Sequence, residues 1–284
     1  MGDNHSKDLA ADGTCEAELR RLCSDACIAL DEALVLFLSS DDVRGPHKAR
    51  VALRRLTTCL DAFAPLLRSK PLSMLRGKAK ALFRKLGKVR DSDVYTADRS
   101  NQPGQPTRLR QNMRLRETIR TRLRKDKAAR FSQHLMSALS PGGLLFRRRP
   151  KAIALRHAPV RAFAAGLLQS LWSASLSWGP SVAAMSPLKR HQFRKTVKSL
   201  RYSIEFFSGH LPDWQIGVFR TDLRDLQDAL GVLNDFDMAL EIEGKNSPKS
   251  LPSREAMALA AAETLWSGLS KADLPWAGHD TRRP

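Results

Sequence analysis

The sequence predicts an all-α protein built as two four-helix bundles, the product of an internal duplication with pseudo-twofold symmetry. Three observations predict it. Ala, Leu, Arg and Lys are abundant, there are only two tyrosines, and β-branched runs are few, a composition that favours helix. Apolar residues recur three and four positions apart in nearly every segment, which is the period of one helix face. A set of unusual residues also occurs twice. His47-x-x-Arg50-x-x-x-Arg54-x-Leu56 returns 144 positions later as His191-x-x-Arg194-x-x-x-Lys198-x-Leu200. The offset then holds without a gap, pairing Phe63 with Phe207, Leu67 with Leu211, Leu82 with Leu226, and Leu86-Gly87 with Leu230-Gly231.

The periodicity predicts helices over 16–38, 46–67, 72–95, 107–139, 152–178, 187–209, 213–242 and 253–271. Each break has a local cause: Gly45-Pro46, Lys70-Pro71, Asn101 to Pro106, Pro141-Gly142-Gly143, Gly179-Pro180, Gly209 to Pro212, and Gly244 to Pro252. Pro159 falls inside the fifth segment, so that helix is kinked there or begins at Val160. Four helices precede Pro141 and four follow Arg149. The expected division is a disordered tail over 1–15, a domain over 16–272 with halves at 16–140 and 150–272, and a C-terminal tail over 273–284.

Charge is the outlier of the composition. Lys plus Arg is 48 against 29 for Asp plus Glu, a net charge of +19. A field of that size repels itself and is relieved by a polyanion: nucleic acid, acidic membrane or inorganic polyphosphate. Arginine supplies much of the charge, which suits bidentate contact with phosphate. Cys15, Cys23, Cys27 and Cys59 contain no C-x-x-C pair, so neither a disulfide framework nor a zinc site is expected, and a reducing cytoplasm fits. No apolar run approaches the roughly 18 residues needed to cross a bilayer, and the polar start is no signal peptide.

On a helix at about 100° per residue, His47, Arg50 and Arg54 fall within about 60° of one another. Leu53, Leu56, Leu60, Phe63 and Leu67 form a separate stripe. In the second copy, His191, Arg194, Lys198 and Arg201 make the polar row, and Phe193, Val197, Leu200, Ile204, Phe207 and Leu211 make the apolar one. Each helix is therefore expected to bury an oily face and hold cations outside it. Cations three and four residues apart repel, and no acid is evident among them, so an anion from outside the chain is expected. The bland alternative is a solvated cationic face, with the histidines packing near helix starts. Thr57 stands where the second copy has Arg201, so the first row is one cation shorter.

A second recurrence is Gly87-x-x-Arg90-Asp91-x-Asp93 and Gly231-x-x-Asn234-Asp235-x-Asp237. Two carboxylates two residues apart on a helix point about 200° away from each other and cannot share a metal ion. Asp91 and Asp235 are expected instead to hold an arginine of a neighbouring helix. Arg108 to Arg130 forms a third basic segment whose charges go around most of its helix, a partly solvated element.

These residues resemble the conserved-histidine α-helical domain, or CHAD, family. The resemblance rests on His47-Lys-Ala-Arg50-Val-Ala-Leu-Arg54-Arg55-Leu56, on His191-Gln-Phe-Arg194-Lys-Thr-Val-Lys198-Ser-Leu200-Arg201-Tyr202-Ser-Ile-Glu205, and on the Leu86 to Asp93 and Leu226 to Asp235 elements. Thr57 departs from the family's usual arginine. The resemblance implies a basic central groove between two four-helix bundles, filled by inorganic polyphosphate, and a cytoplasmic protein associated with polyphosphate granules. Carried over position by position, it implies contacts from His47, Arg50, Arg54, Arg55 and Arg90, and from His191, Arg194, Lys198, Arg201 and Tyr202, with Lys85 and Lys88 secondary. No metal, cofactor or catalytic residue is expected. The rival partner on charge alone is nucleic acid, bound non-specifically, although no stacking platform or known DNA-reading motif is evident. Glu241-Ile-Glu243-Gly-Lys245 matches the Glu-x-Glu-x-Lys hallmark of CYTH-type triphosphatases, some of which are fused to this domain. That hallmark belongs on a barrel strand. Here it ends a predicted helix with only about 40 residues to follow, so the match is read as coincidence.

Overall fold

The structure is a computed structural model that describes residues 13–101, 103–211, 213–243 and 252–277. Thr14 starts the first helix. Its hydroxyl accepts from the Ala17 amide at 3.2 Å, and Glu16 and Glu18 in the first turn complement the helix dipole. The described residues form α1 (Cys15–Ser39), α2 (Arg44–Ala62), α3 (Ser69–Asp98), α4 (Gln105–Lys125), α5 (Phe131–Ala138) and α6 (Pro150–His157). There follow α7 (Val160–Leu176), α8 (Pro187–Phe207), α9 (Asp213–Glu243) and α10 (Pro252–Leu269). The described residues form no strand; an isolated antiparallel bridge joins Leu67 and Phe146. The all-α expectation holds.

Two of the eight expected helices are each divided. The 107–139 segment breaks into α4 and α5 because Lys127 takes a left-handed conformation, φ 51°, which no helix interior accommodates. The 152–178 segment breaks at Pro159, which lacks an amide proton, and α7 begins at Val160.

The chain separates into two compact units. The first is Thr14–His157, in which α2 packs on α1 and α3, and α4 packs on α3. Its core takes Leu30, Leu34 and Phe37 from α1, the expected stripe Leu53, Leu56, Leu60, Phe63 and Leu67, and Leu82 and Leu86 from α3, all buried. Each such side chain contributes about 1.5–3 kcal/mol by leaving water. The second unit takes the described residues from 158 to 277 together with Gly13, whose carbonyl accepts from the Val160 amide at 2.9 Å. Here α8 lies between α7 and α9, and α10 packs on α9. Phe193, Val197, Leu200, Ile204, Phe207 and Leu211 are buried as expected. An aromatic cluster fills this core, with Trp172 5.6 Å from Trp266 and Phe193 4.8 Å from Trp266, ring centre to ring centre.

The boundaries differ from the sequence expectation in three places. The first unit extends to His157, not 140, because 141–157 folds back onto it. The Arg68 amide donates to Leu145 O at 2.8 Å, Arg147 to Leu66 O at 2.9 Å, and Arg156 Nη2 pairs with Glu16 at 2.6 Å. Cys15 belongs to α1 and is fully buried; residues 1–12 of the expected tail lie outside the described residues. The expected C-terminal tail from 273 includes Trp276, which is buried against Trp172 and Phe219 and donates its indole N–H to Gln169 at 3.1 Å. Residues 278–284 lie outside the described residues. Glu241 and Glu243 sit in the last turn of α9, helical rather than extended, and Lys245 lies outside the described residues.

Candidate anion-binding site

Helix α2 holds its first cationic row opposite the buried stripe. Arg50 is half-buried. Its guanidinium stacks 4.2 Å from the Phe83 ring centre, and Nη1 donates to the Phe83 carbonyl at 3.4 Å. Arg54 lies over the same ring at 5.5 Å. The two arginines therefore share one aromatic face of α3, which orders them without neutralising them. Position 87 is a glycine for a reason visible here. A β-carbon on Gly87 would collide with Arg50 Nη1.

His47, Arg50, Arg54 and Arg90 come together. The His47 imidazole is held below its ordinary pKa, first by partial burial and then by the charges of Arg90, Arg50 and Arg54. Burial also pulls Arg50 below its ordinary value, with Asp91 opposing and Arg54 and Arg90 adding to the effect. Arg55 is exposed on the edge of the row, and Lys88 is exposed on α3. Lys85 is committed elsewhere, to an ion pair with Asp126. Beside Arg54, a groove of about 340 Å³ between α2 and α3 is lined by Thr57, Asp61, Arg76, Lys80 and Phe83 among others. Thr57 turns its hydroxyl back to the Leu53 and Arg54 carbonyls, both at 3.0 Å, so no cation stands there on α2. Arg76 and Lys80 bring positive charge to that groove from α3, and Arg76 pairs with Asp61.

The second unit repeats part of this arrangement. Arg194 is half-buried beside Gly231, where a β-carbon would lie 3.6 Å from Nη2, and its buried Nε has no hydrogen-bond partner among the described residues. His191 meets Asn234: Nδ1 lies 2.6 Å from Asn234 Oδ1, so the imidazole N–H donates to the amide oxygen. The corresponding pair in the first unit is His47 and Arg90. One histidine thus faces a neutral acceptor and the other a cation. Lys198 is half-buried on the same helix.

Two of the expected contact residues on α8 differ from expectation. Arg201 is not unopposed: Nε donates to Gln227 Oε1 at 2.9 Å, and Nη1 pairs with Glu205, one turn on. The sequence reading found no acid within the row, and Glu205 is that acid. Tyr202 is buried and stacks on Phe206 with ring centres 6.5 Å apart, while Arg201 lies 4.5 Å over the tyrosine ring. Tyr202 supports Arg201 from inside the core.

Asp91 and Asp235 are expected to hold an arginine of a neighbouring helix, and the charge of Asp91 does act on Arg50 of α2. Both are exposed. The second carboxylate of each motif holds an arginine by a direct ion pair. Asp93 is buried and accepts from Arg116 Nη1 at 2.8 Å and from Asn112 at 2.8 Å. Asp237 pairs with Arg190 at 2.8 Å. Two residues further along a helix, the second carboxylate faces the packed side while the first faces water.

The basic segment of α4 proves largely structural, which the sequence reading missed. Arg116 is 2% exposed. Arg120 Nε donates to Phe37 O at 2.8 Å, and Arg124 Nη2 to Leu38 O at 2.9 Å. These guanidiniums satisfy the last carbonyls of α1 and complement its negative end. Their spacing of four residues was the available signal. Among the described residues no group of three or more His, Cys, Asp or Glu side chains could hold a metal ion, and no helix is long and apolar enough to cross a membrane.

No curated protein is a significant match to the sequence. Among solved structures, the chain is similar to the crystal structure of the CHAD domain from the plant Ricinus communis, with TM-score 0.71 and 19% identity, covering 93% of this chain and 94% of that one. It is also similar to PptA from Streptomyces chartreusis, with TM-score 0.52 and 16% identity over 91% and 95% of the two chains. These likenesses concern the fold. The sequence pattern of the CHAD domain matches residues 21–242, well over half of the chain, and with the two histidine-led helices in place this protein belongs to the CHAD domain family.

Proposed function

We propose that the chain binds inorganic polyphosphate without turning it over, through the cationic rows of α2–α3 and α8–α9, and that this binding associates it with polyphosphate granules. The observation that carries the reading is the gathering of His47, Arg50, Arg54 and Arg90: Arg50 and Arg54 lie over the one Phe83 ring, and the three arginine charges add to burial in lowering the histidine pKa. Such a cluster repels itself in the empty protein and gains when a polyanion supplies the missing charge. Membership of the CHAD family supports the choice of phosphate polymer. Binding a linear polyphosphate releases its condensed counterions, so affinity falls steeply with salt, as it does for DNA.

The test is combined alanine replacement of Arg50, Arg54, Arg194 and Lys198, with long-chain polyphosphate affinity measured at moderate salt. A loss of at least tenfold is expected, and unchanged affinity overturns the reading. Competition by duplex DNA at equal phosphate concentration decides against the nucleic-acid alternative if long polyphosphate stays bound. In cells, foci of a fluorescent fusion should disappear when polyphosphate kinase is deleted.

A further inference from the structure

A further concentration of cations, outside those rows, lies at the opposite end of α2. An open cleft of about 750 Å³ in the first unit is lined by Arg68, Lys70, Arg147, Arg148 and Arg149, together with Ser69, Pro71 and Leu144. No acid lines it, and none of the five cations forms an ion pair among the described residues. The rise of α2 puts the cleft roughly 20 Å from His47 along the helix.

The cleft is built by the fold. The Leu67–Phe146 bridge ties the chain before α3 to the chain before α6. Amide-to-carbonyl bonds from Arg68 to Leu145 and from Arg147 to Leu66, 2.8 and 2.9 Å, clamp both arginines at the backbone. Their side chains are tethered too: Arg68 Nη1 donates to Leu144 O at 3.2 Å and Arg147 Nε to Leu67 O. Two guanidiniums are thus fixed by one donor each, with their remaining N–H groups left to a ligand. Ser69 and Lys70 are also the first residues of α3, which has no side-chain cap, so the positive end of a thirty-residue helix opens at the same place.

We infer that this cleft is a second anion site, separate from the α2 and α8 rows, and that it takes a compact condensed phosphate of two or three phosphoryl units. Five cations without an acid call for several negative charges in a small volume, which pyrophosphate or tripolyphosphate supplies. The lining holds no aromatic ring on which a base could stack, which argues against a nucleotide or single-stranded nucleic acid. The same chemistry is presented by a free short phosphate and by the end of a long chain. The inference does not depend on what the α2 and α8 rows bind.

The experiment is calorimetry of the full chain with sodium tripolyphosphate and, in a second arm, long-chain polyphosphate. Comparison is made with Lys70→Glu/Arg148→Glu/Arg149→Glu, whose side chains are exposed, and with the fourfold alanine variant of the rows. The triple variant should lose one class of tripolyphosphate site, at least tenfold in affinity, and the fourfold variant should keep it. Loss of only tripolyphosphate binding in the triple variant assigns the cleft to free short phosphates; weakened long-chain binding as well assigns it to chain ends. Tripolyphosphate binding unchanged in the triple variant overturns the inference, as does its displacement from the fourfold variant by duplex DNA at equal phosphate concentration. A readout on the wild-type protein covers misfolding of the variant: tripolyphosphate should protect Lys70 from acetylation, and no protection also overturns the inference. The row reading fails separately, by unchanged long-chain affinity in the fourfold variant.

Discussion

The Arg50 guanidinium lies against the backbone of Gly87, so close that a β-carbon there would occupy the space of Nη1. The same pairing recurs 144 positions on, between Arg194 and Gly231, with a looser fit of 3.6 Å. A glycine inside a helix costs about 0.5–1 kcal/mol relative to alanine, and here the cost gives an arginine room to lie flat between two helices.

Gly87→Ala therefore separates binding from stability. The obstructing atom is the end of a flexible side chain, so the helix accommodates the methyl and thermal stability holds or rises slightly. Arg50 must leave its place on Phe83, and polyphosphate affinity is expected to fall about tenfold, the value of one charge-assisted contact. Gly231→Ala has space for the methyl and should leave affinity unchanged. Isothermal titration and thermal melting of both variants check the asymmetry.

His47 sets a pH dependence. In the empty protein its pKa is depressed, so it is neutral at pH 7. Phosphate beside it restores the charged form, so binding takes up a proton and affinity should rise as pH falls from neutral. Proton uptake measured by titration in buffers of different ionisation enthalpy should shrink in His47→Ala. For folding, a depressed imidazole contributes stability above its unfolded pKa and loses it as pH falls through the folded value.

Asp93 is the structural counterpart of these sites. Its carboxylate and the Arg116 guanidinium are each 2% exposed, and Asn112 completes the set. Asp93→Ala strands a buried cation and should destabilise the protein by about 3–5 kcal/mol in denaturant unfolding. Asp91→Ala, at an exposed carboxylate two residues away, should leave stability nearly unchanged.

The cysteines should be inert in the folded state. Burial pushes Cys27 up to about 12 and Cys15 up to about 11, while Cys23, hydrogen-bonded to Cys59 with sulfurs 4.0 Å apart, is raised as well. Little thiolate of Cys15, Cys23 or Cys27 exists at pH 8, and Cys59 is buried, so alkylation of native protein should be slow and become complete only on unfolding. The stability these neutral thiols contribute is whole below about pH 9 and is lost as pH climbs through the folded values.

The fold was legible because its signals are local. The apolar stripes of α2 and α8 follow helical spacing, and every residue assigned to them is buried. The site was legible in part. His47, Arg50, Arg54 and Arg90 gather as their spacing suggests, since α2 and α3 are neighbours along the chain. Lys85, Arg201 and Tyr202 read as site residues but take partners inside the protein, with Asp126, with Glu205 and Gln227, and with Phe206. Arg116, Arg120 and Arg124 read as solvated charge, yet they close the end of α1, more than 70 residues away.

By itself, then, the sequence determined that the chain is helical, which face of each helix is buried, and that cations outnumber acids, because these depend on residues a turn or two apart. Only the tertiary structure decided which cations take a partner within the protein. A charge is neutralised by whatever folds against it, and for Asp93 and Arg116, or Arg190 and Asp237, that neighbour lies on a distant stretch of chain.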